Sequence, residues 1–411
     1  MTPPRMLSLG HSQVVGSNRR LAYELAMAYG WEVVVVAPRV WKGEWGRMTA
    51  DPVEVGLPHC GSSRPSHGAS LVLDDLVQPF ARLPQLIRYG RTALDLIRSG
   101  RFDLIRLEQE PYVLAAGQTA RAMPSNSFLA VATYQNLLKR YPPPFSWSER
   151  ATISRADAWL PYGQTARNAL ASRYDTGRIL VRVLPPGVDH HRFAPNPAAA
   201  RTIRQRLGWS EPGPPLIGYV GRFVPEKGID LLIDLMDRRE PGRFRGLFVG
   251  GGPLESQLRA LESRHQGAVR VVTGVGHEAI AGWINALDLL MLPSRTTRRW
   301  REQFGRVLVE AMACGKPVIA TASGEIPHVV GEAGWLVAER PAHQRSIEVE
   351  DWLHAILQLV ESPDRRRQLG DAGRTRVLDR FAWPVIAAAY VDLLEHLRSQ
   401  PRPQRDKVSV H

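Results

Sequence analysis

Short runs of β-branched and apolar residues alternate along the chain with longer amphipathic stretches, and the alternation occurs twice. That is the pattern of βαβ units built around a parallel sheet. In the first half it predicts strands over residues 6–9, 32–37, 104–107, 128–133 and 181–183. In the second half it predicts strands over residues 216–220, 244–249, 269–273, 289–292 and 318–321. Between the halves, Leu184-Pro-Pro-Gly-Val-Asp-His-His-Arg-Phe193 carries two prolines and a glycine, which continue neither helix nor strand, so the linker is expected there. A second break, Glu211-Pro-Gly-Pro-Pro215, separates a short helix from the first strand of the second half. The end of the chain from Ser399 is polar, basic and proline-bearing, and is expected to be disordered. No repeat of roughly 20 to 50 residues, the period of solenoids, is visible.

Length and composition agree with two folded domains. A chain of 411 residues exceeds what one hydrophobic core serves, and 44% apolar with 23% charged residues excludes a disordered or fibrous protein. Cys60 and Cys314 are too few for a disulfide framework or a cysteine metal site, which fits a reducing compartment. The opening MTPPRMLSLGHSQ breaks its apolar run after a few residues, so no signal peptide is expected. No apolar run reaches about 18 residues, so no membrane span is expected. The net charge of +13 changes the picture more, because it predicts attraction to an anion. Nucleic acid, a phosphorylated small molecule and a lipid surface all qualify, and composition does not choose among them.

In doubly wound sheets ligands bind beyond the carboxyl ends of the strands, which directs the search to the loops that follow them. The loop Gly221-Arg-Phe-Val-Pro-Glu-Lys-Gly-Ile-Asp230 offers glycines for close backbone approach, the planar fork of Arg222 and the point charge of Lys227. The set suits a diphosphate, although an ordinary turn with two solvated cations has the same spacing. A second loop runs from Leu292-Pro-Ser294 to Glu302-Gln-Phe-Gly-Arg-Val-Leu-Val-Glu310, with a helix expected to begin near Phe304 or Gly305. A rise of about 1.5 Å per residue would put Glu302 and Glu310 roughly 12 Å apart, the reach from sugar to ribose in a nucleotide sugar. The amides of Phe304, Gly305, Arg306 and Val307 would lie between them, facing phosphate. Glutamates that merely cap a helix start are the bland alternative. The third loop, Gly10-His-Ser-Gln-Val-Val-Gly-Ser-Asn-Arg-Arg20, contributes Gly16 and His11.

These residues together resemble the GT-B glycosyltransferases, and within them the large retaining group numbered family four, of the group 1 type. The resemblance is carried by G221-R-F-V-P-E-K-G228, L292-P-S294, E302-Q-F-G-R-V-L-V-E310, A311-M-A-C-G-K-P-V-I319, S323-G-E325 and L184-P-P-G-V-D189. It implies an α/β chain of two Rossmann-like doubly wound domains facing across a cleft. Residues 1–187 would be the acceptor-side domain and 188–380 the nucleotide-sugar domain, with a helix over 381–398 crossing back and a basic tail over 399–411. It implies a catalytic set of Arg222, Lys227 and Glu302, the two cations on the donor diphosphate and Glu302 on sugar hydroxyls. Glu310 would bind the ribose, and Gly16, Gly221, Val275 and the amides of residues 304–307 would complete the donor contacts, with base choice near Gly274-Val-Gly276.

The reaction implied is sugar transfer from a UDP- or GDP-sugar to a glycan or lipid-linked acceptor, with no cofactor or metal. A cytoplasmic protein is expected, docked at the inner face of an anionic membrane and not on nucleic acid. A nucleotide-sugar epimerase or hydrolase of the same fold, and a polyanion-binding protein, are the alternatives. The chain departs from the family after the strand at 128–133. It reads Thr133-Tyr-Gln-Asn-Leu137 where relatives often carry a histidine, so Tyr134 or Asn136 would take that acceptor-side place beside His11.

Two other features have plainer readings. Asp189-His-His191 is a poor metal cluster, because adjacent side chains in a linker seldom converge on one ion. Asp230, Asp234 and Asp237 have the spacing of a solvated helix face. The stretch from Ala81 to Arg101 places Leu83, Leu86, Ile87, Leu94 and Ile97 opposite Arg88, Arg91 and Arg98, which fits either an anionic membrane or packing on its own sheet.

Overall fold

A computed structural model describes residues 2–43, 46–50, 68–80, 83–175, 177, 179–209 and 213–400. Cys60, Ala81, Arg82, the break at Glu211-Pro212 and the tail from residue 401 lie outside the described residues. The chain divides into two compact units, Met1–Gly187 with Trp383–His411, and Val188–Ala382.

The first unit is built on β1 (Arg5–Leu9), β2 (Glu32–Pro38), β5 (Ala69–Asp74), β6 (Leu104–Glu108), β7 (Phe128–Thr133), β8 (Ala158–Pro161) and β9 (Leu180–Val181). A small hairpin, β3 (Val40–Gly43) and β4 (Gly46–Thr49), stands apart from this sheet. All pairings in the seven-stranded sheet are parallel, in the order β5-β2-β1-β6-β7-β8-β9. The uninterrupted Val33-Val-Val-Val36 follows from burial on both faces. Val33 and Val35 join one core with Met6, Leu104 and Ala130, while Val34 and Val36 join another with Leu7, Ile105 and Leu129.

The helix Trp383–Ser399 belongs to this unit, its Trp383, Ile386, Tyr390 and Leu394 filling the first of those cores. Its Tyr390 hydroxyl accepts a 2.8 Å bond from Nε of the buried Arg106. The same guanidinium reaches Ser8 at 3.1 Å, Glu108 at 2.9 Å and Tyr162 at 3.0 Å. A buried charge held by four oxygens is satisfied, and it ties β6 to the end of the chain.

The second unit holds β10 (Leu216–Arg222), β11 (Arg245–Gly251), β12 (Val269–Val272), β13 (Leu289–Leu292), β14 (Val318–Thr321) and β15 (Trp335–Val337), all parallel, in the order β12-β11-β10-β13-β14-β15. One continuous apolar core surrounds this sheet. Each sheet reverses its winding once, between β1 and β6 in the first unit and between β10 and β13 in the second. Ligands of such sheets bind at those reversals.

Five strands have no counterpart among those expected: β3, β4, β5, β8 and β15. The stretch expected to be amphipathic is helical only over Pro84–Leu86, as one 3-10 turn, and Arg91–Arg98. Its Ile87, Ala93 and Ile97 are buried in the unit's own core and Leu94 packs against it, while Leu83 stays 40% exposed. Asp230, Asp234 and Asp237 do lie on a solvated helix face, where Asp230 and Asp234 are also ion-paired with Arg345 at 3.2 and 2.7 Å and Asp237 with Arg264 at 2.8 Å. Among the described residues no helix is long and apolar enough to cross a membrane.

Candidate functional site

In the second unit the winding reversal brings two loops together. The loop after β10 turns through Pro225–Lys227, where Gly228 ends the turn at φ 70°, and enters the helix Ile229–Arg238. A side chain at Gly228 would put its Cβ 2.1 Å from the Pro293 carbonyl oxygen, so the closeness of the loops after β10 and β13 requires glycine. Across this contact Lys227 Nζ lies 2.5 Å from Glu302 Oε2, and the same oxygen accepts a 2.6 Å bond from the Ser294 hydroxyl. Both charged side chains are largely buried. Lys227 also lies 5.1 Å from the centroid of the Trp300 ring. Arg222 ends β10, its guanidinium 3.9 Å from Glu226 and more open to solvent.

Glu302 precedes the helix by several residues. The helix runs Arg306–Ala313 with Gly305 as its cap at φ 78°, so helical rise applies only from Arg306 to Glu310. The separation of roughly 12 Å derived from continuous helical rise therefore does not follow. The Phe304 ring is committed to the core, edge-on to Phe381 at 5.7 Å, which leaves only its backbone for a ligand. Glu310 falls on the second turn, and burial raises its carboxyl to about 7 against the opposing charges of Arg306 and Arg192. Gly274, at φ 71° after β12, precedes the partly buried Val275.

Sequence reasoning missed two parts of this site. The run Gly250-Gly-Gly252 closes β11 beside Gly221, in register Gly221 with Gly250. A Cβ on Gly250 would fall 1.8 Å from the Gly221 oxygen, and one on Gly252 2.6 Å from the Phe223 oxygen. Glycine at 250 and 252 is thus what lets the carboxyl ends of β10 and β11 pack this closely, while a Cβ on Gly251 would meet nothing within 4 Å, so the backbone there faces open space. Three consecutive glycines after an apolar run were the available signal. Arg192, read only as linker, donates to the His277 carbonyl and acts electrostatically on Glu310. Asp189 is occupied in accepting from the amides of His191 and Arg192, both at 3.1 Å. Among the described residues no group of three His, Cys, Asp or Glu could hold a metal ion.

Gly324 secures Glu302 from the other side. At φ 56°, its Cβ would sit 2.1 Å from the Glu302 backbone carbonyl oxygen, while the Glu325 amide donates to that carbonyl at 3.0 Å. Gly324→Ala is expected to destabilise the second unit by about 2 kcal/mol or more, because strain and clash act together. Urea unfolding measures this, and an unchanged midpoint would mean the loop gives way without cost.

In the first unit, the carboxyl ends of β1, β6 and β7 gather a polar group at the winding reversal. His11 Nδ1 lies 3.0 Å from Gln109 Oε1, its ring centroid lies 4.5 Å from that of Trp41 at a tilt of 31°, and burial lowers its pKa. Gly16 opens a 3-10 turn, Gly16–Arg19, ahead of the helix Arg20–Tyr29. Glu110, which sequence reasoning did not single out, accepts from the Thr133 hydroxyl at 2.6 Å and the Tyr134 amide at 2.8 Å. Burial outweighs these bonds and raises its pKa. The Tyr134 ring lies 4.0 Å from that of Tyr162, and Asn136 is buried beside the same loop.

Comparison with known proteins gives two family matches. Residues 17–192 match Glycosyltransferase Family 4, and residues 201–376 match Glycosyl transferases group 1. The chain belongs to the group 1 glycosyltransferases of the GT-B fold.

This glycosyltransferase family member is 33% identical over 224 residues to a GDP-mannose-dependent monoacylated alpha-(1-6)-phosphatidylinositol monomannoside mannosyltransferase of Corynebacterium glutamicum, covering 53% of this chain and 56% of that protein. It is 34% identical over 252 residues to a GDP-mannose-dependent alpha-(1-6)-phosphatidylinositol monomannoside mannosyltransferase of Mycolicibacterium smegmatis, covering 59% and 63%. The match therefore spans less than two-thirds of either relative. The structure of a glycosyltransferase from Rickettsia africae aligns over 98% of this chain and 100% of its own, with TM-score 0.70 and 15% identity, a likeness of fold.

Proposed function

We propose that this group 1 family member transfers a hexose from a nucleotide-sugar donor to a lipid-linked acceptor, retaining anomeric configuration, in glycolipid or cell-surface polysaccharide synthesis. GDP-mannose is the first donor to test, because both curated relatives described above are named for it. Their acceptors are named as phosphatidylinositol mannosides, which makes a glycolipid of that chemistry the first acceptor to test.

The observation that carries this reading is the buried Lys227 and Glu302 pair at the winding reversal, with Arg222 and the glycine run that closes β11 beside it. Without donor the two side chains hold each other in place. With donor bound, Lys227 and Arg222 turn to the diphosphate, and Glu302 accepts from sugar hydroxyls while Glu310 accepts from the ribose. As the bond from the anomeric carbon to phosphate oxygen breaks, the cations stabilise the charge that develops on the leaving group. The acceptor oxygen bonds to the same face of the sugar, and its proton passes to the departing phosphate. Glu302, already engaged by Lys227 and Ser294, positions the sugar and is not the nucleophile. On the acceptor side, Glu110 fixes the segment that carries Tyr134 and Asn136, which with His11 would meet the incoming hydroxyl.

Thermal unfolding with GDP-mannose, UDP-glucose and ADP-glucose tests donor binding. A donor at about one hundred times its Kd is expected to add roughly 2.7 kcal/mol to stability. Incubation with labelled donor, with and without a phosphatidylinositol mannoside, then separates the activities. Label reaching lipid supports transfer, whereas donor consumed equally without lipid would make the chain a hydrolase or epimerase. No stabilisation by any donor would overturn the reading.

A further inference from the structure

Trp300 is the one large apolar side chain in the polar segment Thr296-Thr-Arg-Arg-Trp-Arg301. It belongs neither to the buried core of the second unit nor to the partly buried side chains packed on that core. Its ring face lies against Lys227, whose Nζ is 5.1 Å from the ring centroid and 2.5 Å from Glu302 Oε2. A half-buried indole therefore borders the carboxylate that takes the sugar hydroxyls.

The loop is built to hold the ring there. The Thr297 hydroxyl accepts from the amides of Arg299 at 3.2 Å and Trp300 at 3.0 Å, and the Thr297 amide donates to the Trp300 carbonyl at 2.8 Å. That closed turn fixes the backbone from which the indole projects. Before it, the Arg295 amide donates to the Glu226 carbonyl at 2.9 Å, and the Arg295 guanidinium pairs with Asp230 at 3.1 Å and Glu348 at 3.2 Å. The Thr296 amide donates to Glu339, and its hydroxyl lies 2.8 Å from that of Ser323. The side chains of Arg298, Arg299 and Arg301 are exposed and need no such frame. Nor does Lys227, which Glu302 already holds.

The face of an indole carries negative partial charge, which is why it attracts an ammonium. The C–H hydrogens of a pyranose carry weak positive charge and gather on the side of the ring that its hydroxyls leave bare, so the same indole face attracts them. Lys227 uncovers that face when it turns to the diphosphate. We infer that Trp300 is a further donor-binding residue, on which the C–H face of the transferred hexose packs while Glu302 holds its hydroxyls. Such a platform recognises the sugar and adds nothing for the nucleoside diphosphate alone. The inference rests on the donor reading above and extends it to the sugar.

Calorimetric titration with GDP-mannose and with GDP, and in parallel with UDP-glucose and with UDP, is the test. For the pair that binds wild type, Trp300→Ala is expected to weaken the nucleotide sugar roughly tenfold, the scale of one lost aromatic contact, and the free diphosphate by less than about twofold. Diphosphate affinity kept in this way also shows that the variant is folded. Trp300→Phe, with a smaller aromatic face in the same place, is expected to recover most of the loss. Trp300→Leu, apolar but without that face, is not. Equal losses for nucleotide sugar and diphosphate in Trp300→Ala, with both restored in Trp300→Phe, would overturn the inference and make Trp300 a support for Lys227. Nucleotide-sugar affinity unchanged in Trp300→Ala or in Trp300→Leu would overturn it as well. A wild type that binds none of the four ligands would instead remove the donor reading, and the inference with it.

Discussion

Lys227→Met is expected to lower the transfer rate by about 100- to 1,000-fold, the usual effect of removing one group that stabilises charge developing in a transition state. The difficulty is that Lys227 also neutralises Glu302, and breaking a buried pair from one side costs about 3–5 kcal/mol. Reduced activity alone would thus not separate chemistry from folding. Lys227→Met combined with Glu302→Gln resolves this, since the amide that replaces the carboxylate would keep a hydrogen bond to Ser294 without a charge to neutralise. The double variant is expected to regain most of the unfolding temperature lost by Lys227→Met while remaining inactive. Lys227→Arg is expected to retain partial activity, its charge being kept but its shape changed beside Trp300. Activity restored along with stability in the double variant would show that Lys227 serves the fold and not the leaving group.

What could be read from sequence depended on whether the signal was local. The strands over 128–133, 289–292 and 318–321 coincide with β7, β13 and β14, because each is an apolar run buried on both faces between sharp breaks. β15 is only Trp335–Val337, too short for a period, and β8, which lies between β7 and β9, is only Ala158–Pro161 and ends on a proline that argues against a strand. The second site's loops were legible because glycine, lysine and glutamate fall at characteristic positions. The contact between Lys227 and Glu302 was not, since 75 residues separate them and only the winding of the sheet joins them. Glu110 illustrates the same limit. Its partners Thr133 and Tyr134 lie on the neighbouring strand's end, and nothing in the sequence around residue 110 announces them.

Donor affinity is expected to rise with pH through neutrality, and Glu310 is the reason. Its carboxyl titrates near 7, above the ordinary 4.5, because burial outweighs the pull of Arg306 and Arg192. Between those two values the folded chain holds a proton that the unfolded chain has released, so in the absence of nucleotide this group makes stability fall as pH rises. Binding runs the other way. Two ribose hydroxyls can both donate only to the ionised carboxylate, so bound nucleotide favours loss of the proton. Below pH 7 the apparent Kd should therefore weaken, approaching a factor of about ten per pH unit, and level off above it. Calorimetry in buffers of different ionisation enthalpy should record proton release at neutral pH. Glu310→Ala is expected to weaken donor binding by on the order of 100-fold, since hydrogen bonds to a charged group contribute about 1.5–3 kcal/mol each. Glu310→Gln should remove the pH dependence and also flatten the decline in stability of the nucleotide-free protein. An affinity for GDP-mannose that is flat from about pH 6 to 8 in wild type, together with unchanged binding by Glu310→Ala, would place the ribose elsewhere. The raised carboxyl would then be only a buried acid of the helix Arg306–Ala313.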